Sequence, residues 1–268
     1  MDQQETVGSG KLVGIGVAAG VLGGFLGVGG GIIIVPLLIW AGMGRHRAHA
    51  TSLASFIIIA TAGAISFGVS GALDLMSALS IGVGGIIGSL IGASVMHRLS
   101  TRNLTLVFGI VLLVAGIRMV TGAEPVAGTS QLDNMDQFLV ALGIGLVSGI
   151  FAGLAGIGGG VVIVPASVLL LALDQHVAQG TSLAAIVLTA ISGSLVNMRN
   201  KRVDLRDSLM IGLGGVGGSL VGSRLALAVE GQTLSLAFGL LVLFVAARTL
   251  YRIFRSDEPQ PSEASPEL

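Results

Sequence analysis

The feature that most constrains this chain is a series of long apolar runs that contain no charged residue. A transmembrane helix needs about 20 apolar residues. Only 10% of the residues are charged, whereas soluble domains carry about 25%, so an aqueous fold would expose too much apolar surface. The sequence therefore predicts an all-α polytopic membrane protein. The uncharged runs lie at approximately 12–28, 30–44, 50–73, 75–96, 103–117, 138–156, 159–173, 177–198, 208–223 and 231–247.

The second constraint is an internal repeat. The segment GFLGVGGGIIIVP at 24–36 matches GLAGIGGGVVIVP at 153–165, and TSLA at 51–54 matches TSLA at 181–184 after a shift of one residue. Further along, 81–92 aligns with 211–222. The chain therefore predicts two repeats of about five helical segments each. The first two segments of each repeat are expected to form a glycine-rich, partly membrane-embedded hairpin.

The predicted organisation has four parts. A first membrane repeat covers 11–121, and a second covers 138–251. Between them lies a polar external linker at 122–137, which carries acids and no base. The tail at 252–268 is polar and contains prolines, so we expect a disordered cytoplasmic tail.

The distribution of lysine and arginine predicts the orientation, because cytoplasmic loops carry an excess of these residues. With both termini in the cytoplasm, twelve of the fourteen basic residues fall in cytoplasmic loops, and only Arg118 and Arg224 fall outside. The positive loop follows the second segment in the first repeat but the third segment in the second repeat. Equivalent loops then face opposite sides of the membrane, so we expect two inverted repeats.

Inverted repeats are typical of secondary transporters, whose solute sites lie where discontinuous helices meet near the midplane. The segment after each triple glycine is too short to span about 30 Å of hydrocarbon. A helix that begins inside the membrane offers unpaired N–H groups and a positive dipole end to an anion. The predicted substrate-binding residues are Gly27, Gly29, Gly30, Gly31, Pro36, Thr51, Ser52, Gly156, Gly158, Gly159, Gly160, Pro165, Thr181 and Ser182.

Each of these residues also has a purely structural interpretation. Glycines in apolar helices often serve close helix packing, and the Thr-Ser pairs, which are predicted to open the third segment of each repeat, are typical N-caps. His46 and His176 are candidates for gating or coupling, or they are solvated at the surface. Arg118 and Arg224 either recruit an anion at the outer mouth or extend to the lipid headgroups.

Several classes of function are disfavoured by the sequence. No acid lies in the middle of a predicted segment, which argues against a cation carrier that uses buried carboxylates. Cysteine is absent and no hydrolase, zincin or P-loop motif occurs. We therefore expect no enzymatic activity, no metal site and no cofactor. The formal net charge of zero gives no indication of a nucleic-acid partner.

The doubled glycine motif, the H-x-x-x-x-T-S-L-A segments and the GSLIGA and GSLVGS helices resemble the TauE/SafE family. This family comprises sulfite and organosulfonate exporters and is also called the toluene sulfonate uptake permease family. The similarity covers residues 12–250. It implies a multi-pass carrier of the prokaryotic inner membrane for sulfur-containing or related organic anions, with the glycine loops and Thr-Ser pairs matching the family pattern.

The sequence thus predicts a secondary transporter that exports a small anion such as sulfite or an organosulfonate by alternating access. Its expected partners are that anionic solute and the lipid bilayer. Two alternatives stay open: an anion channel, or a non-transporting membrane scaffold subunit. The identity of the anion, the direction, the coupling ion and the choice between a monomer and a homodimer are also open.

Overall fold

The computed structural model describes residues 8–95, 101–122, 134–155, 159–200 and 203–255. In these ranges the chain forms ten helices and no strand, which confirms the predicted all-α class. The helices are α1 (Ser9–Leu26), α2 (Gly31–Trp40), α3 (Arg45–Val69), α4 (Leu75–Val95), α5 (Thr101–Val120), α6 (Asn134–Ala155), α7 (Gly160–Leu170), α8 (Gln175–Arg199), α9 (Leu205–Ala228) and α10 (Gly231–Arg255).

Within the described part of the chain, seven helices are long and apolar enough to cross a membrane. The two segments that follow the glycine loops are different. Helix α2 has 10 residues and α7 has 11, so each rises only about 15 to 17 Å. Both are too short to span the hydrocarbon layer. Helix α6 starts at Asn134, within the segment 122–137 that the sequence assigns to the linker.

Two long helix pairs pack through glycine. Helix α1 lies along α9, and its repeat equivalent α6 lies along α4. A Cβ at Gly218 of α9 would collide with the carbonyl oxygen of Val17, and a Cβ at Gly88 of α4 with that of Leu146. Because glycine lacks a Cβ, the two backbones of each pair touch directly, as in small-residue packing of membrane helices.

Helices α3 and α8 pack against each other and run antiparallel. Near the start of α3, the side chain of Leu53 lies 3.5 Å from a Cβ built on Gly193, late in α8. Near the end of α3, a Cβ at Gly63 would lie 2.8 Å from Leu183, early in α8. Helices α5 and α10 also run antiparallel, because Gly109 faces Leu250 and Gly116 faces Leu243.

The helix contacts keep the same pattern when the two repeats are exchanged. Helix α3 packs on α9 as α8 packs on α4, and α1 packs on α9 as α6 packs on α4. Ser66 of α3 meets Ser223 of α9 through a 2.6 Å hydrogen bond. Contacts between repeats therefore hold the molecule together, so neither repeat buries its helices alone. The antiparallel course of α3 and α8 is the arrangement that an inverted repeat requires, and the inverted relation itself stays a prediction.

Candidate functional site

The loop between α1 and α2 reverses the chain inside the molecule. Helix α1 ends at Leu26 and is capped by Gly27, whose φ of 72° lies in the left-handed region, and the N–H of Val28 donates to the carbonyl of Gly23 over 3.1 Å. Gly30, with a φ of 82°, precedes the first residue of α2. Side chains with a Cβ are strained at such angles, so the turn requires glycine at both positions.

Both short helices begin with the same hydrogen-bond geometry. The N–H groups of Ile33 and Ile34 donate to the carbonyl of Gly30 over 3.0 and 3.1 Å. The N–H groups of Val162 and Ile163 donate to the carbonyl of Gly159 over 3.0 and 2.9 Å. No side chain caps either helix. The first N–H groups, such as that of Gly31, consequently have no helical acceptor, and they point from the positive end of the helix dipole.

The two glycine regions meet near the middle of α8. A Cβ on Gly160 would lie 2.6 Å from Cα of Val28 and 3.0 Å from Cδ1 of Ile186. A Cβ on Gly29 would lie 3.4 Å from Cγ2 of the same isoleucine. Ile186 lies close to the centre of the 25-residue helix α8. The start of α7 therefore touches the loop that precedes α2, about halfway along a spanning helix. The predicted site residues Gly156 and Gly158 lie outside the described residues.

The prolines of the two motifs lie inside the short helices. Pro36 belongs to α2 and is exposed, whereas Pro165 belongs to α7 and is buried. Neither proline ends its helix, and α2 runs on to Trp40 and α7 to Leu170. The two equivalent prolines thus differ in their surroundings.

The interpretation of the Thr-Ser pairs as N-caps of the third segment is wrong. Helix α3 begins at Arg45 after Gly44, and α8 begins at Gln175 after Asp174, so both pairs lie in the second turn. The reason is that the helical segments extend to polar residues that a hydropathy reading leaves in the loop.

The threonines instead hold the start of a helix in the other repeat. The N–H of Asp74 donates to Thr181 Oγ1 over 3.0 Å, and the N–H of Asp204 donates to Thr51 Oγ1 over 3.4 Å. The carboxylate of Asp204 caps α9 by accepting from the N–H groups of Arg206 and Asp207. Each threonine thus anchors the helix start of the opposite repeat, which is a structural role.

The serines of the two pairs are in a different situation. Ser52 is 1% exposed and Ser182 is 0% exposed, and neither hydroxyl has a hydrogen-bond partner among the described residues. On α8, Ser182 lies between Gln179, three residues before it, and Ile186, four residues after it. Residues spaced by three or four share a helix face. Ser182 therefore lies on the face of α8 that meets the first glycine loop.

Two glutamines that the sequence reasoning missed share this face. Gln179 is fully buried, and a Cβ on Gly27 would lie 2.6 Å from Cβ of Gln179. Gln175 is 6% exposed, and the side-chain amides of both glutamines lack partners among the described residues. The signal was present in the sequence as two amides spaced by four residues and in register with Ser182.

The four residues predicted to gate or couple lie in other parts of the molecule than the contact of Val28, Gly160 and Ile186. His176 is half-buried, and its Nε2 lies 3.1 Å from the carbonyl of Ala226 and 3.0 Å from that of Val229, which joins α8 to the end of α9. His46 is exposed in the first turn of α3, and Arg224 is exposed on α9. The two histidines thus have different surroundings despite their equivalent positions.

Arg118 lines a cavity of about 480 Å³ at the ends of α5 and α7 and the start of α10. Its other polar walls come from Gln232, Thr233 and Ser235. Val28, Gly160 and Ile186, which meet near the middle of α8, do not line this cavity.

The charged pair Arg47–Asp204 lies where α3 meets the start of α9. Partial burial of Asp204 opposes its ionisation, but the N–H of Asp207, the hydrogen bond and charge of Arg47 and the N–H of Arg206 together hold the pKa of this carboxyl below its usual value. The carboxylate is therefore ionised at neutral pH. Among the described residues, no three His, Asp or Glu side chains come close enough to share a metal ion.

Comparison with known proteins gives one family. The sequence model of the family described as "Sulfite exporter TauE/SafE" matches residues 2–119 and 141–267. A probable membrane transporter protein of Xylella fastidiosa (strain 9a5c) is 30% identical over 256 residues, which cover 94% of this chain and 96% of that protein. The probable membrane transporter protein YunE of Bacillus subtilis (strain 168) is 26% identical over 263 residues, covering 90% and 96%. No solved structure matches the chain significantly.

Proposed function

Because the chain belongs to the TauE/SafE family of membrane transporters, we propose that it exports a small anion such as sulfite or an organosulfonate. In this proposal the transporter works by alternating access, and the solute binds between the beginnings of α2 and α7. The cell inner membrane is the proposed location, with both termini in the cytoplasm.

One observation carries this proposal: two helices are too short to span the membrane, and the first residue of α7 packs against the loop that leads into α2, about halfway along α8. A helix start offers unpaired N–H groups and about half a positive charge. Two such starts on either side of this contact favour an anion without a buried cation. The sulfur-containing class of the anion is supported by the family to which the chain belongs and by the printed description of that family.

Alternating access is supported by the packing of the two repeats. The contacts between helices keep their pattern when the repeats are exchanged, and α3 and α8 run antiparallel. Because Gly160 packs closely against Val28, a bound solute requires the start of α7 to separate from the loop that precedes α2. Movement of one hairpin relative to the other would open the site toward one side at a time, as in other inverted-repeat transporters.

Outward transport is favoured by the membrane potential. One end of the molecule, where α1, α3 and α9 begin, carries Lys11, Arg47 and Arg206. A 3.3 Å hydrogen bond from Arg206 to Ser9 joins the starts of α9 and α1. The excess of basic residues supports a cytoplasmic location for this end. An anion then leaves an inside-negative cell with a gain of about 2.3 kcal/mol per charge per 100 mV.

The proposal is tested by reconstituting the purified chain in liposomes and measuring sulfite and sulfoacetate flux against concentration. We expect saturable flux that an outside-positive potential accelerates in the outward direction. The variant Gly14→Ala in α1 should show the same flux as the wild type, because a Cβ at Gly14 meets nothing within 4 Å. Flux that rises linearly with concentration would indicate a channel, and the absence of anion flux would contradict the proposal.

A further inference from the structure

Three polar side chains form a row along one face of α8. Gln175, Gln179 and Ser182 are separated by four and then three residues. At about 100° per residue they fall within an arc of about 60°. Ile186, which touches both glycine regions, lies inside the same arc. We call Gln175, Gln179 and Ser182 the α8 polar row.

The α8 polar row is buried and unpaired. Its members are 6%, 0% and 0% exposed, and none of their side-chain polar atoms has a hydrogen-bond partner among the described residues. Buried polar groups in folded proteins are almost always hydrogen-bonded. Three unpaired members in succession on one face therefore favour a polar ligand as their partner.

The inner end of the row lies at the first glycine loop. A Cβ on Gly27 would lie within 2.8 Å of Cα, Cβ and Cγ of Gln179, so the stem of this glutamine lies directly against the loop. The next residue in the arc after Ser182 is Ile186, against which Gly29 packs. The row therefore reaches the positive end of α2 from the side of α8.

The outer end of the row is the first residue of α8, Gln175. The start of α8 lies beside the start of α4, because Thr181 bonds to Asp74. The side-chain amide of Gln137, near the start of α6, donates to Asp74 Oδ2 over 3.0 Å. The row thus leads from the proposed anion site to the end of the molecule at which α4, α6 and α8 begin, opposite to the basic end.

The geometry points to the α8 polar row as the part of the path that binds the oxygen atoms of the anion and passes it to the non-cytoplasmic side. This inference rests on the proposed function. Gln179 Nε2 and Ser182 Oγ donate to a solute at the first turn of α2, and Gln175 receives it on release. The donors are neutral and several, which suits a small oxyanion with more than one acceptor oxygen, such as a sulfonate or sulfite group.

The two halves of the path differ in charge. The positions of the first repeat that correspond to the row hold Arg45, His49 and Ser52. Of these three residues only Arg45 carries a fixed positive charge, and such a charge at the cytoplasmic end favours capture of an anion, whereas a neutral row on the other half releases it without the attraction of a fixed cation. This difference in sequence agrees with outward transport.

The test compares KM values for sulfite in liposomes that contain wild-type protein, Gln179→Leu or Ser182→Ala. A hydrogen bond to a charged group corresponds to about tenfold or more in affinity. We expect KM to rise about tenfold in Gln179→Leu and severalfold in Ser182→Ala. The control is Ser194→Ala, another buried unpaired serine of α8 that lies outside the arc. This variant should keep KM within twofold.

The outcomes separate this inference from the proposed function. Saturable wild-type flux with an unchanged KM in Gln179→Leu would overturn the role of the row and leave the transport function intact. No saturable anion flux in the wild type would overturn both. If Gln179→Leu is poorly recovered, Gln179→Cys provides a second measurement, because the natural chain has no cysteine. Sulfoacetate should slow its labelling by a thiol reagent, and labelling at an unchanged rate would count against the row.

Discussion

At the scale of single residues, the glycines of the two repeated motifs have two distinct roles. Gly27 and Gly30 have positive φ values, which the turn into α2 requires. Gly160 leaves room for Val28 of the other repeat. The sequence indicated both the position of the loops and their need for glycine. It did not indicate that the two regions touch, because a contact between residues 28 and 160 leaves no trace in hydropathy or spacing.

The contact at Gly160 gives the first prediction. Gly160→Ala places a Cβ 2.6 Å from Cα of Val28, and backbone atoms cannot make room cheaply. We expect the variant to lose sulfite flux at least tenfold, as measured in liposomes with equal amounts of protein. Gly217→Ala in α9, where a Cβ meets nothing within 4 Å, should retain wild-type flux. Normal transport by Gly160→Ala would show that the close approach is dispensable.

The threonine of each Thr-Ser pair gives the second prediction. Thr181→Val removes the acceptor for the N–H of Asp74 and should destabilise the protein by about 1 kcal/mol. The thermal unfolding temperature in detergent should fall, while KM for sulfite stays within twofold. Thr189→Val serves as a control, because Thr189 bonds only to carbonyls of its own helix. A large change in KM with Thr181→Val would assign this threonine to the binding site instead.

The glutamines show where residue-level reasoning from the sequence stopped. Gln175 precedes the predicted segment 177–198 and Gln179 lies near its beginning, where polar side chains are ordinary, and neither is among the predicted site residues. Only the burial of both side chains and the lack of partners distinguish them from solvated amides. Placing α8 on a helical wheel would have aligned them with Ser182, but not with Gly27.

At the scale of helices, the number and approximate bounds of the segments follow from hydropathy, and the choice of neighbours does not. A glycine-rich face on α4 and α9 is visible in the sequence. Helix α1 packs on α9 of the other repeat, and this tertiary contact is not encoded in any local sequence pattern. It was predictable that α2 and α7 do not cross the hydrocarbon layer, because only about 10 apolar residues follow each triple glycine.

The glycine faces give the third prediction. Gly218→Val in α9 would drive a side chain into the backbone of α1, where Val17 and Val21 lie. Because both partners are helix backbones, we expect the helices to separate and the yield of monodisperse protein to fall severalfold in size-exclusion chromatography. Gly143→Val in α6 is the matched control, since a Cβ there meets nothing within 4 Å. Equal yields for the two variants would contradict the role of the glycine face.

The start of α9 gives the fourth prediction, which concerns pH. The pKa of Asp204 is lowered in the folded protein, so its stabilising contribution is fully present above its usual value and disappears as pH falls through the lowered pKa. The difference in unfolding temperature between wild type and Asp204→Asn should stay constant from pH 5 to 8 and shrink below about pH 4. A difference that changes between pH 6 and 8 would point to another group.

At the scale of the whole molecule, the repeat was the most informative property of the sequence. It predicted equivalent elements, and the contacts are equivalent when the repeats are exchanged. The fold therefore depends on contacts between the repeats. The first hairpin packs through α1 on α9, and the second hairpin packs through α6 on α4. Equivalent residues can still differ in burial: Pro165 is buried and Pro36 is exposed. Such differences arise because the neighbouring residues differ between the repeats.

The orientation gives the fifth prediction. Single cysteines at exposed Gly44, just before α3, and exposed Thr121, just after α5, should lie on opposite sides of the membrane. In intact cells an impermeant thiol reagent should label Thr121→Cys and spare Gly44→Cys, because the excess of basic residues predicts that the basic end faces the cytoplasm. Labelling of both from outside, or only of Gly44→Cys, would contradict the proposed orientation.

The central claim is that an anion binds where α2 and α7 begin, and cysteine protection at Val28 tests it most directly. Val28→Cys provides the single thiol of the chain, placed against Gly160 between the two helix starts. Its rate of labelling by a small thiol reagent should fall several-fold in the presence of sulfoacetate. The protection should saturate at the concentrations that saturate transport. Labelling at the same rate with and without the anion, in a variant that still transports it, would contradict the account.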